Sequence, residues 1–413
     1  MSAKEGKMMK DKGMTFLEYV EELKKGIGRV YINEWGSSMA GPSFPRPVCY
    51  FNTQVTRDSI KHFVDAIGDI NPLYRDREYA KGTKYGCLIA PPTILYTIAL
   101  AHYPEPLESP PLVEYPPLYT GDDYEWYAPI CEGDEIDWKT VFPTKIEMKQ
   151  TKTAGATAFI YGRHEFSRHQ GGIPLAACNF WVLVYDRNEF QYWPAEKKEK
   201  VSEIPKFPEY TEEYIKEVYA AQDRETVRGA TPRFWEDVEV GEELTPVVRG
   251  PFTVDESVAW IIGSGEYFFC SDRLFRMIHD HTGWGEYHPE LKVYLNFKHG
   301  TYEFNPKGVG GWAAQRTTWV DMMLTNWVGD DGFVWKLRSE HRRRGGYGNV
   351  FWCRANVTRK YTENGHFCLD LEHRVEDQTS ALILRGTASV LLPSREHGPV
   401  IYPTPPSPSS QIR

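Results

Sequence analysis

Apolar positions along this chain follow two rhythms, one helical and one alternating, and the order of those rhythms occurs twice. Ile60, Phe63, Val64 and Ile67 fall at helical spacing, so a helix is predicted from Ser59 that Gly68 ends. A loop through Asn71-Pro72 follows, and a second helix is predicted to open at Pro91-Pro92, since proline suits a first helical turn. Residues 103–129 are rich in proline and tyrosine and read as loop. Three strand-like runs come next, at 136–141, 158–166 and 176–185, separated by glycine-bearing turns. The same order then returns. Thr253 and Glu256 have the spacing of a capping box ahead of Ala259, Trp260, Ile261 and Ile262. An irregular segment over 283–307 leads to a helix with Trp319, Val320, Met323, Leu324 and Trp327 on one face. Four strand-like runs close the pattern, at 333–339, 350–358, 367–375 and 381–392.

This rhythm divides the chain into five segments. Residues 1–45 form an N-terminal extension with one short helix over 16–25, and 46–195 form the first module. Residues 196–228 are a polar linker, helical over 214–222, and 229–395 are the second module. The segment 396–413, with its PTPPSPSS run, reads as a disordered tail on composition.

Composition narrows the classes open to the chain. At 413 residues it is too long for one ordinary core and suits two domains. A net charge of −9 argues against a nucleic-acid partner. No apolar run approaches the ~18 residues that span a bilayer, so no membrane partner is expected. The basic, polar start lacks the apolar core of a secretory signal, and the seven cysteines are scattered with no CxxC pair. Both features predict free thiols in a reducing, cytoplasmic setting.

The candidate chemistry lies in Gly68-Asp69-Ile70-Asn71-Pro72-Leu73-Tyr74-Arg75-Asp76 and in the apolar run Leu88-Ile89-Ala90-Pro91-Pro92-Thr93-Ile94-Leu95. Together these resemble the overhang loop and central helix of the MaoC-like, (R)-specific enoyl-CoA hydratases, whose loop reads G-D-x-N-P-x-H. With the IAPPT, EWYAPICEGDEI and LTNWVGDDGF runs, most of 45–395 resembles the double-hotdog dehydratases with a fatty-acid-synthase-like N-terminal dehydratase module. The resemblance implies an α+β double hotdog, each module an antiparallel sheet wrapped around a long central helix. It also implies a hydro-lyase that adds or removes water at the 2,3-position of an acyl-CoA thioester. Asp69 would be the base, Asn71 and Pro72 would shape the loop, and Tyr74 stands at the histidine position. Asp and Asn before Pro are also ordinary turn residues.

Two departures follow from the same comparison. The family's helix opens with a glycine whose N–H faces the thioester oxygen, whereas Pro92 has no N–H. The second half lacks the Asp-Asn-Pro loop, but Gly310 and Gly311 precede its own helix. A composite site would therefore join Asp69 to Gly310 and Gly311, with His299 replacing the missing imidazole. Arg342 and Arg343, beside Arg338 and Lys336, are expected to contact coenzyme A phosphates, or else to form a solvated strand edge. His279, His281 and His288 have only generic metal-ligand spacing, so no metal is expected, and no cofactor beyond coenzyme A within the substrate. Tyr115, Tyr119, Tyr124, Trp126, Trp284 and Tyr287 fit a bulky or aromatic acyl group. The alternative is a non-catalytic, substrate-tunnel subunit of a heteromeric MaoC-type dehydratase. The expected assembly is accordingly a homodimer or a hetero-oligomer with a small MaoC-like subunit.

Overall fold

The computed structural model describes residues 14–32, 52–99, 115, 117–151, 155–186, 210–265, 273, 276, 286–288, 293–295, 312–343 and 345–406. Helix α1 (Phe16–Lys24) opens on a Thr15–Glu18 capping box. It buries Phe16, Tyr19, Val20 and Leu23, and Tyr19 stacks on Tyr115 at 5.1 Å.

The repeat is visible in two helices of identical construction. Helix α2 (Arg57–Ile67) follows the N-cap Thr56 and ends at Gly68, at φ 70°. Helix α4 (Val254–Ser264) follows the N-cap Thr253 and ends at Gly265, at φ 67°. Each cap threonine accepts an N–H three residues on, and each terminal glycine adopts the left-handed conformation that closes a helix at least cost. The two helices pack together. A Cβ on Gly263 would lie 2.4 Å from the Ala66 Cβ, so the contact admits only glycine there.

The strands repeat as well. In chain order they are β1 (Val30–Ile32), β2 (Pro117–Trp126), β3 (Ile136–Thr151), β4 (Gly155–Arg168), β5 (Pro174–Tyr185) and β6 (Val247–Arg249). After the small β7–β8 pair (Glu286–His288, Val293–Leu295) come β9 (Phe333–His341), β10 (Phe351–Glu363), β11 (His366–Asp377) and β12 (Leu382–Leu391). Ten of them form one sheet in the order β1-β3-β4-β5-β2-β9-β12-β11-β10-β6. The run 3-4-5-2 mirrors 10-11-12-9, so the halves meet where β2 pairs antiparallel with β9, Asp122 opposite Ser339. One apolar core runs through both halves.

Three sequence expectations are corrected. The stretch read as loop, 103–129, contains strand β2. Its pairing to β5 on one side and β9 on the other overrides the turn-like composition, and Trp181 lies so flat on it that a Cβ at Gly121 would meet the ring at 2.1 Å. The long central helix expected from Pro92 is, among the described residues, the six-residue 3₁₀ helix Pro92–Thr97. Pro91 and Pro92 supply no N–H, and the β-branched and aromatic residues that follow favour helix weakly. Its counterpart α5 (Ala313–Val328) is a full helix with fourteen of sixteen residues buried. The tail is ordered well past 396: the Tyr402 ring packs 4.9 Å from Phe333 and Pro403 is buried. Residues 407–413 lie outside the described part. Helix α3 (Glu212–Gln222), within the polar linker, packs Val218 and Ala221 against Val248 and Val350.

Candidate active site

The loop after α2 is built from two consecutive Asx turns. Gly68 reverses the chain, and the Asp69 N–H closes on the Val64 carbonyl at 2.9 Å. The Asn71 N–H then donates to Asp69 Oδ1 at 2.9 Å, and the Leu73 N–H donates to Asn71 Oδ1 at 3.0 Å. Asn71 thereby caps the single turn Pro72–Arg75, with Pro72 at its first position. Arg249, on β6 of the other half, clamps the start of the loop. Its Nε donates to the Ile67 carbonyl at 3.1 Å, and its Nη1 donates to Glu225 at 2.7 Å.

This construction leaves Asp69 without solvent exposure. Its Oδ1 is engaged, whereas its Oδ2 has no hydrogen-bond partner among the described residues. Burial pushes its carboxyl up to about 6, against the lowering effects of the Asn71 N–H and the Arg249 and Arg75 charges. Tyr74 lies in the field of Asp69 and Asp321. Burial first, then those two carboxylates, hold its phenol well above the usual tyrosine range, so it stays protonated and can orient but not abstract.

The second carboxylate comes from the other half. Asp321 sits in the middle of α5 with no exposed surface. Its Oδ2 accepts the Thr93 hydroxyl at 2.7 Å and the Thr93 N–H at 3.1 Å, while its Oδ1 has no partner among the described residues. Burial pushes it up to about 7 against the lowering effect of the two Thr93 bonds, and the charge on Asp69 adds to the rise. Asn326, farther along α5, accepts the Asn71 amide at 3.1 Å.

Two cavities flank this seam. An apolar cleft of about 40 Å³, bordered by Asn71, Tyr74, Pro92, Trp126, Thr325 and Phe333, has room for roughly one water. A wider groove of about 310 Å³ is bordered by Gly68, Ile70, Glu225, Arg249, Met322 and Asn326. The Asn71–Asn326 bond joins the wall of one to the wall of the other.

Of the residues singled out in the sequence, Asp69, Asn71 and Tyr74 come together here. His299, Gly310 and Gly311 lie outside the described residues, as do His279 and His281. Arg342 and Arg343 are exposed and border neither cavity. Arg342 donates to Glu340 at 2.6 Å, a carboxylate it shares with Arg338 and Arg385. Sequence reasoning missed Asp321, Thr93 and Asn326. A lone acid inside the apolar helix segment WVDMML was the available signal for Asp321. Among the described residues, no cluster of three His, Cys, Asp or Glu could hold a metal, and no helix is long and apolar enough to cross a membrane.

Comparison with known proteins places this geometry in context. Residues 43–173 match the family model of the FAS1-like dehydratase domain region. A solved MaoC-like dehydratase superposes with a TM-score of 0.57, at 16% identity, over 89% of this chain and 99% of that one. A Mycobacterium tuberculosis protein described as a double hotdog superposes at 0.50, with 9% identity, over 88% of this chain and 96% of that one. The chain has a double hotdog fold, and its residues 43–173 are similar to the FAS1-like dehydratase domain region. Among curated relatives, a UPF0336 protein of Streptomyces coelicolor is 36% identical over 86 residues, 21% of this chain and 55% of that protein. A UPF0336 protein of Parafrankia is 43% identical over 70 residues, 17% of this chain and 46% of that protein. The chain spans about half the length of the curated relatives it matches. In this double hotdog protein Asp69 falls inside the matched dehydratase region, and Asp321 reaches it from outside that region.

Proposed function

We propose that the double hotdog protein is a hydro-lyase that adds or removes water at the 2,3-position of an acyl thioester. The observation that carries this reading is Asp69. It is a buried carboxylate with one free oxygen, pushed up to about 6, on a loop within the dehydratase region. A base in that range is ionised at neutral pH and still accepts a proton readily. Hydration needs such a base on water and an electrophilic contact to the thioester oxygen, whose charge grows in the transition state. Tyr74, kept protonated, supports the second role, since its phenol borders the one-water cleft beside Asn71. Coenzyme A is the proposed carrier of the acyl group, and Trp126 and Phe333 give the cleft the apolar wall an acyl chain needs.

A second reading is favoured by one specific observation. The Thr93 N–H, the first available at the start of the 3₁₀ helix, is taken by Asp321, and the adjoining cleft is only about 40 Å³. Both fit a non-catalytic, substrate-tunnel half that works with a small MaoC-like subunit. Purified chain assayed alone on a panel of enoyl-CoA thioesters, by loss of conjugated absorbance, separates the two. Turnover by the single chain supports the hydro-lyase. A flat panel that gains activity only with a partner subunit supports the tunnel half.

A further inference from the structure

The hydration reaction requires an acid as well as a base, and the histidine that would supply it is replaced by Tyr74. The charges of Arg75, Arg249 and Glu225 act on Asp69, and Asp69 in turn acts on Tyr74 and on Asp321, whose helix α5 is bonded to the Asp69 loop through Asn326 and Asn71. The arginines are permanently charged, and Arg249 is committed to Glu225 and to the Ile67 carbonyl. Tyr74 holds its proton too strongly. Asp321 differs from all of these. It is fully buried, its Oδ2 accepts two bonds from Thr93, and its Oδ1 has no partner among the described residues. A carboxyl with one oxygen doubly accepted and the other free is arranged to carry its proton on the free oxygen. When that proton leaves, the Thr93 N–H and hydroxyl already stabilise the charge left behind.

We propose that Asp321 is the second catalytic group of this site, the acid that protonates Cα in hydration and recovers that proton in dehydration. The inference rests on the hydro-lyase reading. In hydration, Asp69 Oδ2 takes a proton from water as the water oxygen bonds to Cβ. The π electrons of the double bond move toward Cα, and Cα takes the proton from Asp321 Oδ1. Asp69 ends protonated and Asp321 ionised, and one proton passing back from Asp69 to Asp321 restores the starting state. Nothing is oxidised or reduced. The base and the acid thus come from opposite halves of the duplicated chain.

Three variants test this by steady-state turnover of an enoyl-CoA substrate across pH. Asp321→Asn keeps an oxygen for Thr93 and so preserves packing. It should lower kcat by about a hundredfold or more, with KM within a few-fold. Asp321→Glu should recover part of that loss. Thr93→Val removes one of the bonds that favour the ionised form, so the high-pH limb of kcat should move to higher pH. A merely structural Asp321 would not produce that displacement. If the wild-type chain turns over and Asp321→Asn keeps full kcat with the same high-pH limb, the assignment of Asp321 is overturned and the hydro-lyase reading stands. If the folded wild-type chain shows no turnover on any thioester, both are overturned.

Discussion

A carboxylate buried without solvent should make the fold less stable, and Asp69→Asn measures by how much. The carboxyl is pushed up to about 6 in the folded chain, whereas an unfolded aspartate ionises near 3.8. Folding therefore opposes ionisation. A group raised in this way contributes no penalty below its unfolded value, and stability is lost as pH rises through the folded one. Near pH 8 the cost is about 3 kcal/mol, about half of that remains near pH 5, and it vanishes below about pH 4. Asparagine keeps the oxygen that accepts the Asn71 N–H, but it brings an amide into the place of the unpartnered Oδ2, at a cost of about 1–2 kcal/mol. The net expectation is that Asp69→Asn is more stable than wild type by about 1–2 kcal/mol near pH 8, and level or slightly less stable near pH 5. Thermal or denaturant unfolding of both proteins across that range gives the comparison. An Asp69→Asn difference independent of pH, or one that favours wild type more as pH rises, would refute the account of Asp69 as a strained buried carboxylate.

Three further expectations concern the seam. Gly263→Ala places a methyl 2.4 Å from Ala66 and 2.6 Å from the His62 carbonyl, and should cost about 2–3 kcal/mol in unfolding free energy by forcing α2 and α4 apart. Arg249→Met strips partners from the Ile67 carbonyl and from a mostly buried Glu225, and should cost about 3–5 kcal/mol. Adding Glu225→Gln should return part of that stability, which a double-mutant cycle would read. The pH profile of kcat/KM should be a narrow bell, rising through about 6 and falling through about 7, with both limbs belonging to the coupled pair.

The duplicated order of elements was legible because it rests on local signals. Thr56 and Thr253 cap their helices, Gly68 and Gly265 end them, and both marks can be read from a few neighbouring residues. Strand β2 was illegible for the opposite reason. Its composition is that of a loop, and only β5 and β9, distant in sequence, make it a strand. The same division holds in the site. Asp69, Asn71 and Tyr74 stand in one short motif, and the hydrogen bonds that shape their loop are mostly local. Asp321 and Asn326 have no motif. They matter because α5 passes behind elements far earlier in the chain: Asp321 meets Thr93 on the 3₁₀ helix, and Asn326 meets Asn71 on the loop. Periodicity marked α5 as a core helix and gave no reason to ask what its one acid faced. Tyr74 was legible as a departure from the loop the sequence resembles, whereas the bond from Thr93 to Asp321 arises only in tertiary packing.

The most direct test is the turnover of enoyl-CoA thioesters by the purified chain alone, wild type against Asp69→Asn, followed by the loss of conjugated absorbance near pH 6.5. The account predicts turnover by wild type and a fall in kcat of about a hundredfold or more in a folded and, near neutral pH, no less stable Asp69→Asn protein. Equal turnover by the two proteins would contradict it.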